Sequence, residues 1–416
     1  LEMASSKLMC WGVQSRAFSL SSRAASANIF KDVVICGGMR TPIASFRSKL
    51  NSIPVTVLGS TAIFATLEHA GIKPSLVQEA FVGAALPADA GQAPARQAVL
   101  GAGLDVSTIV TAVNKTSASG MKAIMLAAEH LQLGLQDFAI GAGMENMSRV
   151  PFFLKRGDTP YGGIDLADGV LRDGLIDVYG NLHLGGCTDK IAKKYGVTRE
   201  EQDEYAAESY RRAAAAWESG VLAREVFPVE IKEGKREYLF DVDEEFQRVD
   251  YERLPTLKPA FTEDGTITAG NASSLSDGAA AVLLARMTAA DQHHIPPIAK
   301  ILALADAATE PDEFSTAPTL VIPKVLEMAG LNISDIDLFE INEAFAVTPI
   351  LAIKKFNLDP KKVNVHGGAI SLGDPVGMSG ARIVVHLLHA LESGQKGLAV
   401  ICNGGGGASG MIIEKL

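Results

Sequence analysis

This sequence predicts a layered α/β architecture built from two similar halves, and three observations point there. From residue 29 onward, short β-branched runs alternate with longer helical stretches, the pattern of a central sheet covered by helices. Ser119-Gly120 opens a helix that ends near Gly134 and leads into Asp137–Ile140, while Ser379-Gly380 opens another that ends near Gly394 and leads into Gly397–Val400. The second set of landmarks lies 260 residues after the first, which marks an internal duplication. Finally, residues 150–268 differ in character from what flanks them and read as an insertion.

Each element has a local reason. Asp32–Cys36 is a β-branched strand, Val55–Ala70 a helix, Glu79–Gly83 a strand, and Pro94–Leu100 a helix with proline at its start. An apolar strand then runs up to Asn114, and Ala123–Leu133 is apolar nearly all round, as a buried helix must be. In the insertion, the charged run Thr198–Glu204 precedes a helix over Glu201–Ser219. Lys232–Pro259 is dense in both charge signs and reads as irregular, outside any central sheet. Beyond it, Ile336–Phe339 and Leu398–Ile401 are strands. The expected divisions are an N-terminal half over 29–149 and about 269–297, a loop domain over 150–268, and a C-terminal half over 298–416.

Composition narrows the function classes. The chain has 416 residues, 47% of them hydrophobic, enough for several packed layers. A net charge of −10 argues against nucleic acid or an anionic membrane surface as partner, so an anionic ligand needs a local basic patch. Arg248 and Arg253 are the candidates for one, set against the common case of a solvated charged surface. No run of about 18 apolar residues is present to span a membrane. The four cysteines (Cys10, Cys36, Cys187, Cys402) are widely spaced and are expected as free thiols. Leu1-Glu2 before Met3 reads as a cloning residue. Met3–Asn28 lacks acidic residues and interleaves Lys7, Arg16 and Arg23 with serines, the composition of a mitochondrial transit peptide, with placement in the matrix as the expectation.

Four loops carry the candidate chemistry. Asn114–Lys122 joins a strand to a buried helix and places Ser117 where a nucleophile would sit, facing the positive end of the helix dipole. Ile341–Ala346 puts Asn342 and Glu343 at the end of a strand, where open α/β sheets bind ligands. Val365–Gly380 is a glycine-studded loop running into a helix, and glycine there permits close backbone approach to a ligand. Ile401–Gly410 sets Cys402 before four glycines, which is expected to leave the thiol loosely covered. Other motifs fail. Gly377–Ala381 lacks the last glycine of a nucleophile elbow, Gly404–Gly410 lacks the end of a phosphate loop, and His293-His294 has no helix to set ligand spacing. His386 and His389 lie on the helix after Gly380 and are expected to be packed.

Asn342–Phe345, Gly367–Gly373, Ser379–Arg382 and Cys402–Gly407, together with the Ser117 loop, resemble the signature segments of the thiolases, in the same order, over residues 30–416. The resemblance implies two duplicated α/β halves with five-stranded mixed sheets in an α/β/α/β/α layering, plus an inserted loop domain over coenzyme A. It implies acyl transfer between CoA thioesters: thiolysis of acetoacetyl-CoA or 2-methylacetoacetyl-CoA and the condensation of acetyl-CoA. The match is best to a short-chain mitochondrial subclass, given Glu145–Ser148 and the N-terminus. Phe314 matches an acyl-pocket position, with Ser315 where proline accompanies branched substrates.

The resemblance also assigns roles. A cysteine at position 117 would take the acyl group, and Cys402 would move the α-carbon proton. One oxyanion hole would use a water on Asn342 with a histidine at position 374, the other the backbone N–H groups of Ser117 and Gly404. This chain departs from that pattern at Ser117 and Asp374. A serine needs a positioned base to attack an acyl carbon, a part open to Asp374, yet a carboxylate also opposes an enolate. The expectation is an impaired or inactive enzyme. The alternatives are slow transfer or thioester hydrolysis through Ser117 and a non-catalytic acyl-CoA-binding paralogue. By the same resemblance, His183, Tyr210, Arg248, Val249, Asp250, Arg253 and Ser273 would surround CoA, and Tyr210 with the backbone of Ala269, Gly270, Ala272 and Ile370 would hold a potassium ion. No redox cofactor is implied, and the subclass habit is a homotetramer.

Overall fold

The computed structural model describes residues 32–158 and 160–416. The cloning and transit-peptide readings of residues 1–28, and Cys10, lie outside the described residues. The N-terminal half runs β1 (Val33–Arg40), α1 (Val55–Ala70), β2 (Glu79–Gly83), α2 (Pro94–Gly101), β3 (Ile109–Val113), α3 (Ser119–Gln132) and β4 (Phe138–Asn146). There follow α4 (Leu184–Tyr195), α5 (Arg199–Glu218), a hairpin of β5 (Val229–Glu233) and β6 (Arg236–Phe240), then β7 (Ser276–Arg286) and α6 (Met287–His293). The C-terminal half runs β8 (Ala299–Ala308), α7 (Pro318–Ala329), β9 (Leu338–Ile341), α8 (Val347–Phe356), α9 (Ala369–Leu372), α10 (Val376–Ala390), β10 (Lys396–Asn403) and β11 (Gly407–Lys415).

The duplication is visible in the strand order. One sheet runs β3-β2-β4-β7-β1 through the first half and continues β8-β11-β10-β9 through the second. In each half the long strands pair antiparallel and the outer ones parallel. A β-bulge falls between Ile35 and Gly37 in one half and between Ile301 and Ala303 in the other. Gly404–Gly406 turn β10 into β11, with φ of 84° at Gly405 and 85° at Gly406, a conformation suited to glycine. At the equivalent place, between β4 and β7, the first half carries residues 147–275.

The helices make the layers. Helices α1 and α2 bury Leu58, Ile63, Leu67 and Val99 against one face of the sheet, and α7 and α8 bury Val321, Ile322, Val325 and Ala352 against the other half. Between the halves, α3 and α10 share a core with Ile35, Val282, Ile401 and Met411. These two helices meet at glycines: a Cβ on Gly120 would lie 2.9 Å from the Ala381 nitrogen, and one on Gly380 would lie 2.6 Å from the Met121 nitrogen. Both contacts involve backbone, so only glycine allows the crossing.

Four expectations are corrected. The C-terminal half has four strands, its fifth reduced to a parallel bridge between Phe339 and Val363, and the two sheets join through Val34–Lys300 and Ile35–Ala299. The charged stretch from Lys232 is not irregular at its start: the β5–β6 hairpin occupies it, as a ribbon separate from the main sheet. His293 ends a short helix rather than lying in a loop. Helix α5 starts at Arg199, where Thr198 and Glu201 form a capping box.

Candidate active site

Two strand ends and one turn converge on a cavity of about 270 Å³. The end of β3 delivers Ser117, the end of β10 delivers Cys402, Asn403 and Gly404, and the turn between α9 and α10 delivers Asp374. The insertion supplies His183, Leu184, Phe261, Ala272 and Ser273, and Phe314 closes the apolar end with Phe345. Among the described residues that line the cavity there is no lysine or arginine.

The Ser117 loop is held from every side. Asn114 caps the turn by accepting from the Thr116 N–H at 3.0 Å and donating to the Ala85 carbonyl at 3.0 Å. Ser119 accepts from the Lys115 N–H at 2.9 Å, and Thr116 takes up the left-handed region with φ of 45°. Lys115 and Lys122 both pair with Asp306, and burial alone would raise that carboxyl, but Lys115, Ser409 and Lys122 bring it down to about 2. Ser117 thus stands two residues before the start of α3, at the positive end of its dipole. Its hydroxyl has no hydrogen-bond partner among the described residues. A Cβ on Gly404 would sit 3.8 Å from the Thr116 hydroxyl, so the glycine turn abuts this loop.

Asp374 is bonded elsewhere than to Ser117. Ser273 donates its hydroxyl to Oδ2 at 2.9 Å, Ser379 donates to Oδ1, and Asn342 Nδ2 stands 3.5 Å from Oδ1. Among the described residues no hydrogen bond joins Asp374 to Ser117; its donors come from β7's approach, α10 and the end of β9. Asn342 itself lies behind Asp374, 1% exposed, and its Oδ1 has no partner among the described residues.

Cys402 is not loosely covered as the glycines suggested. It is 1% exposed because β10 continues through Asn403 and Cys402 still pairs with Ala408 across the hairpin. Burial, and then the charge of Asp374, push its thiol up to about 12, against a smaller opposing effect of the Thr348 hydroxyl. Cys36, Cys187 and Cys402 are all free.

The other expected ligand residues divide by place. His183 accepts the Gly185 N–H on Nδ1 at 3.0 Å and stacks on Phe261 at 4.4 Å, and burial lowers its pKa. Tyr210, Ala272 and Ile370 lie together in one apolar cluster against which Val249 packs, and Gly270 is buried against Leu254 and Leu257. Arg248, Asp250, Arg253 and Ala269 are exposed outside the cavity; Asp250 caps its own turn through the Glu252 and Arg253 N–H groups.

Sequence reasoning missed the supports. Glu343 is a clamp, accepting from Tyr205, Ser209, Asn364 and the Ile370 N–H at 2.8 to 3.1 Å, and so fixes the glycine loop before Asp374. Glu145 accepts from the Ala85, Leu86 and Gly377 N–H groups and ties β4 to the start of α10; burial raises its carboxyl to about 7. Below the site, Arg40 pairs with Glu225 and Asp243, Glu225 with His386, and His386 Nε2 with His366 Nδ1 at 3.0 Å. These partners are 20 to 203 residues apart, and no local pattern announces them.

Comparison with known proteins agrees with this arrangement. The family description "Thiolase, N-terminal domain" matches residues 33–288, and "Thiolase, C-terminal domain" matches 295–415. The chain is 54% identical over 387 residues to the mitochondrial acetyl-CoA acetyltransferase of Bos taurus, covering 92% of each, and 52% identical over 394 residues to mitochondrial acetyl-CoA acetyltransferase A of Xenopus laevis, covering 94% of each. A thiolase of Ascaris suum solved in complex with coenzyme A superposes with a TM-score of 0.90 at 44% identity, over 93% of this chain and all of that one. The Bacillus anthracis acetyl-CoA acetyltransferase superposes with 0.89 at 35% identity, over 94% of this chain and all of that one. With this architecture, these converging loops and this degree of identity over its whole described length, the chain belongs to the thiolase family.

Proposed function

We propose that this chain is a mitochondrial thiolase of the acetyl-CoA acetyltransferase kind that binds CoA, acetyl-CoA and acetoacetyl-CoA in the cavity at Ser117 but transfers acyl groups poorly. The observation that carries this is the state of the site's reactive groups. Ser117 has a free hydroxyl and no base, while the cavity's carboxylate, Asp374, is engaged by Ser273 and Ser379. A serine without a base attacks an acyl carbon far more slowly than a thiolate. Cys402, the proton carrier of this reading, is held as a thiol by burial and by Asp374. A carboxylate stands where the enolate oxygen would need a donor, and losing one such donor costs about 10²–10³ in rate.

Binding is supported by parts that remain. The Ser117 and Gly404 loops lie together, Asn342 Oδ1 is buried with no partner among the described residues and suits a bound water, and His183, Ser273 and Phe314 line the cavity. In this reading residues 150–268 form the cover over CoA, with exposed Arg248 and Arg253 at its phosphates. Potassium, the implied ion, would be held by Tyr210 and the carbonyls of Ala269, Gly270, Ala272 and Ile370; Tyr210, Ala272 and Ile370 share one cluster, and Glu245 and Glu343 set negative charge near the Tyr210 hydroxyl against that of Arg248. A homotetramer is supported by the exposed edge strand β3, with Ile109 52% exposed, which another copy would cover.

The test is a thiolysis assay with acetoacetyl-CoA and CoA on the chain itself, on Ser117→Cys, on Asp374→His and on the double variant. Activity restored only when both are changed supports the reading. Full activity in the unaltered chain would sink it.

A further inference from the structure

The cavity's polar groups are unevenly sorted. On the wall made by Ser117 and Gly404, hydrogen-bond donors face the space: the Ser117 hydroxyl is unpaired, and His183, whose Nδ1 accepts from Gly185, keeps its N–H on Nε2. His183 belongs to this wall because its neighbour Leu184 lies against Gly404.

At Asp374 the cavity offers an acceptor. In its ionised form Asp374 has acceptor sites alone, and the donors around it are already spent on it or elsewhere. Ser273 donates to Oδ2, Ser379 and Asn342 Nδ2 are directed at Oδ1, and Ser274 is engaged with Ser276. One lone pair of Oδ2 remains open to the cavity, and among the described residues no lysine or arginine lines the space to answer it. Asp374 also fixes the sense of the Asn342 amide, since the reverse orientation would set two oxygens face to face.

A 3-ketoacyl thioester brings two carbonyl acceptors to such a space. One finds the donors at Ser117 and Gly404, and the other meets the Asp374 carboxylate. A 3-hydroxyacyl thioester brings one acceptor and, two carbons away, one donor, which answers both Ser117 and Asp374. Resting on the reading of this cavity as a CoA-thioester site, we propose that Asp374 makes it select 3-hydroxyacyl-CoA over 3-ketoacyl-CoA. The selection comes from the open Asp374 acceptor as much as from the bond formed, because a buried acceptor that a keto ligand leaves without a donor is costly.

The test is calorimetric titration of the intact chain with 3-hydroxybutyryl-CoA, with acetoacetyl-CoA and with CoA alone, repeated on Asp374→Asn and Asp374→His. The expected result is at least about tenfold tighter binding of the hydroxy ligand than of the keto ligand, the scale of one hydrogen bond to a charged group. That gap should shrink or reverse in either variant, whose side chains offer a donor. Equal affinities in the unaltered chain, or tighter keto binding, overturn the proposal even if CoA binds. Failure to bind CoA at all overturns the underlying thioester reading, and the proposal with it. The comparison within the unaltered chain decides even if a variant fails to fold.

Discussion

Ser273 donates its hydroxyl to Asp374 Oδ2 at 2.9 Å, and this bond, made across 101 residues of sequence, commits the cavity's carboxylate to a partner other than Ser117. The reactivity of the site turns on it. A site with a nucleophile and a base in contact would acylate; here the two share a cavity without sharing a proton.

The thiol of Cys402 provides the first prediction. With its pKa pushed up to about 12 by burial and Asp374, the thiolate is only about one part in 10⁴ at pH 8. Peptide mapping after iodoacetamide treatment should find Cys402 nearly unlabelled at that pH. Asp374→Asn removes the charge and should raise the labelling rate by at least about threefold. An unchanged rate would show that burial acts alone.

The buried network below the site makes a stability prediction. Burial alone would raise the Glu225 carboxyl, yet His386 and Arg40 hold it well below the usual carboxylate range, and Glu225 and Glu340 raise His386 despite its burial. The His386 contribution is therefore complete at low pH and lost as pH rises through its folded pKa. The Glu225 contribution is present above its ordinary range and lost as pH falls. His386→Leu strands Glu225 from one of its two partners and should cost about 3–5 kcal/mol by denaturant unfolding at pH 6. A loss below 1 kcal/mol there would mean that Arg40 alone suffices.

Glu145 gives a slope of opposite origin. Its carboxyl rises from 4.5 to about 7 on folding, so the folded chain holds the proton more tightly, and stability falls as pH climbs between those values. Glu145→Gln should flatten that part of the stability profile in melting experiments. Its Gly377 contact predicts that the same change loosens the Asp374 turn.

The helix crossing predicts asymmetric tolerance of alanine. Gly120→Ala and Gly380→Ala drive a methyl group into backbone and should each destabilise by about 1–3 kcal/mol or more. Gly404→Ala meets nothing nearer than 3.8 Å and should leave the melting temperature almost unchanged.

Much of this was legible in the sequence because it was local. Strand ends followed by glycine loops announced Ser117, Asn342, Cys402 and Gly404, and a repeat of landmarks announced two halves. What stayed hidden was long-range. Nothing near Asp374 foretold Ser273, nothing near Glu343 foretold Tyr205 and Ser209, and the His183–Phe261 stack spans the insertion. The β5–β6 hairpin was masked by charge, although Val229 and Ile231 alternate as a half-buried strand should. Cys402 looked open because its glycines follow it, whereas sheet pairing with Ala408 closes over it.

Intact-protein mass spectrometry after incubation with acetoacetyl-CoA, on the unaltered chain and on Ser117→Cys with Asp374→His, decides whether Ser117 works as a nucleophile. No acetyl adduct is expected on the unaltered chain, and a trapped acetyl thioester on the double variant. An acetyl ester on Ser117 that turns over would contradict this expectation, because a serine without a base in contact would then be a working nucleophile.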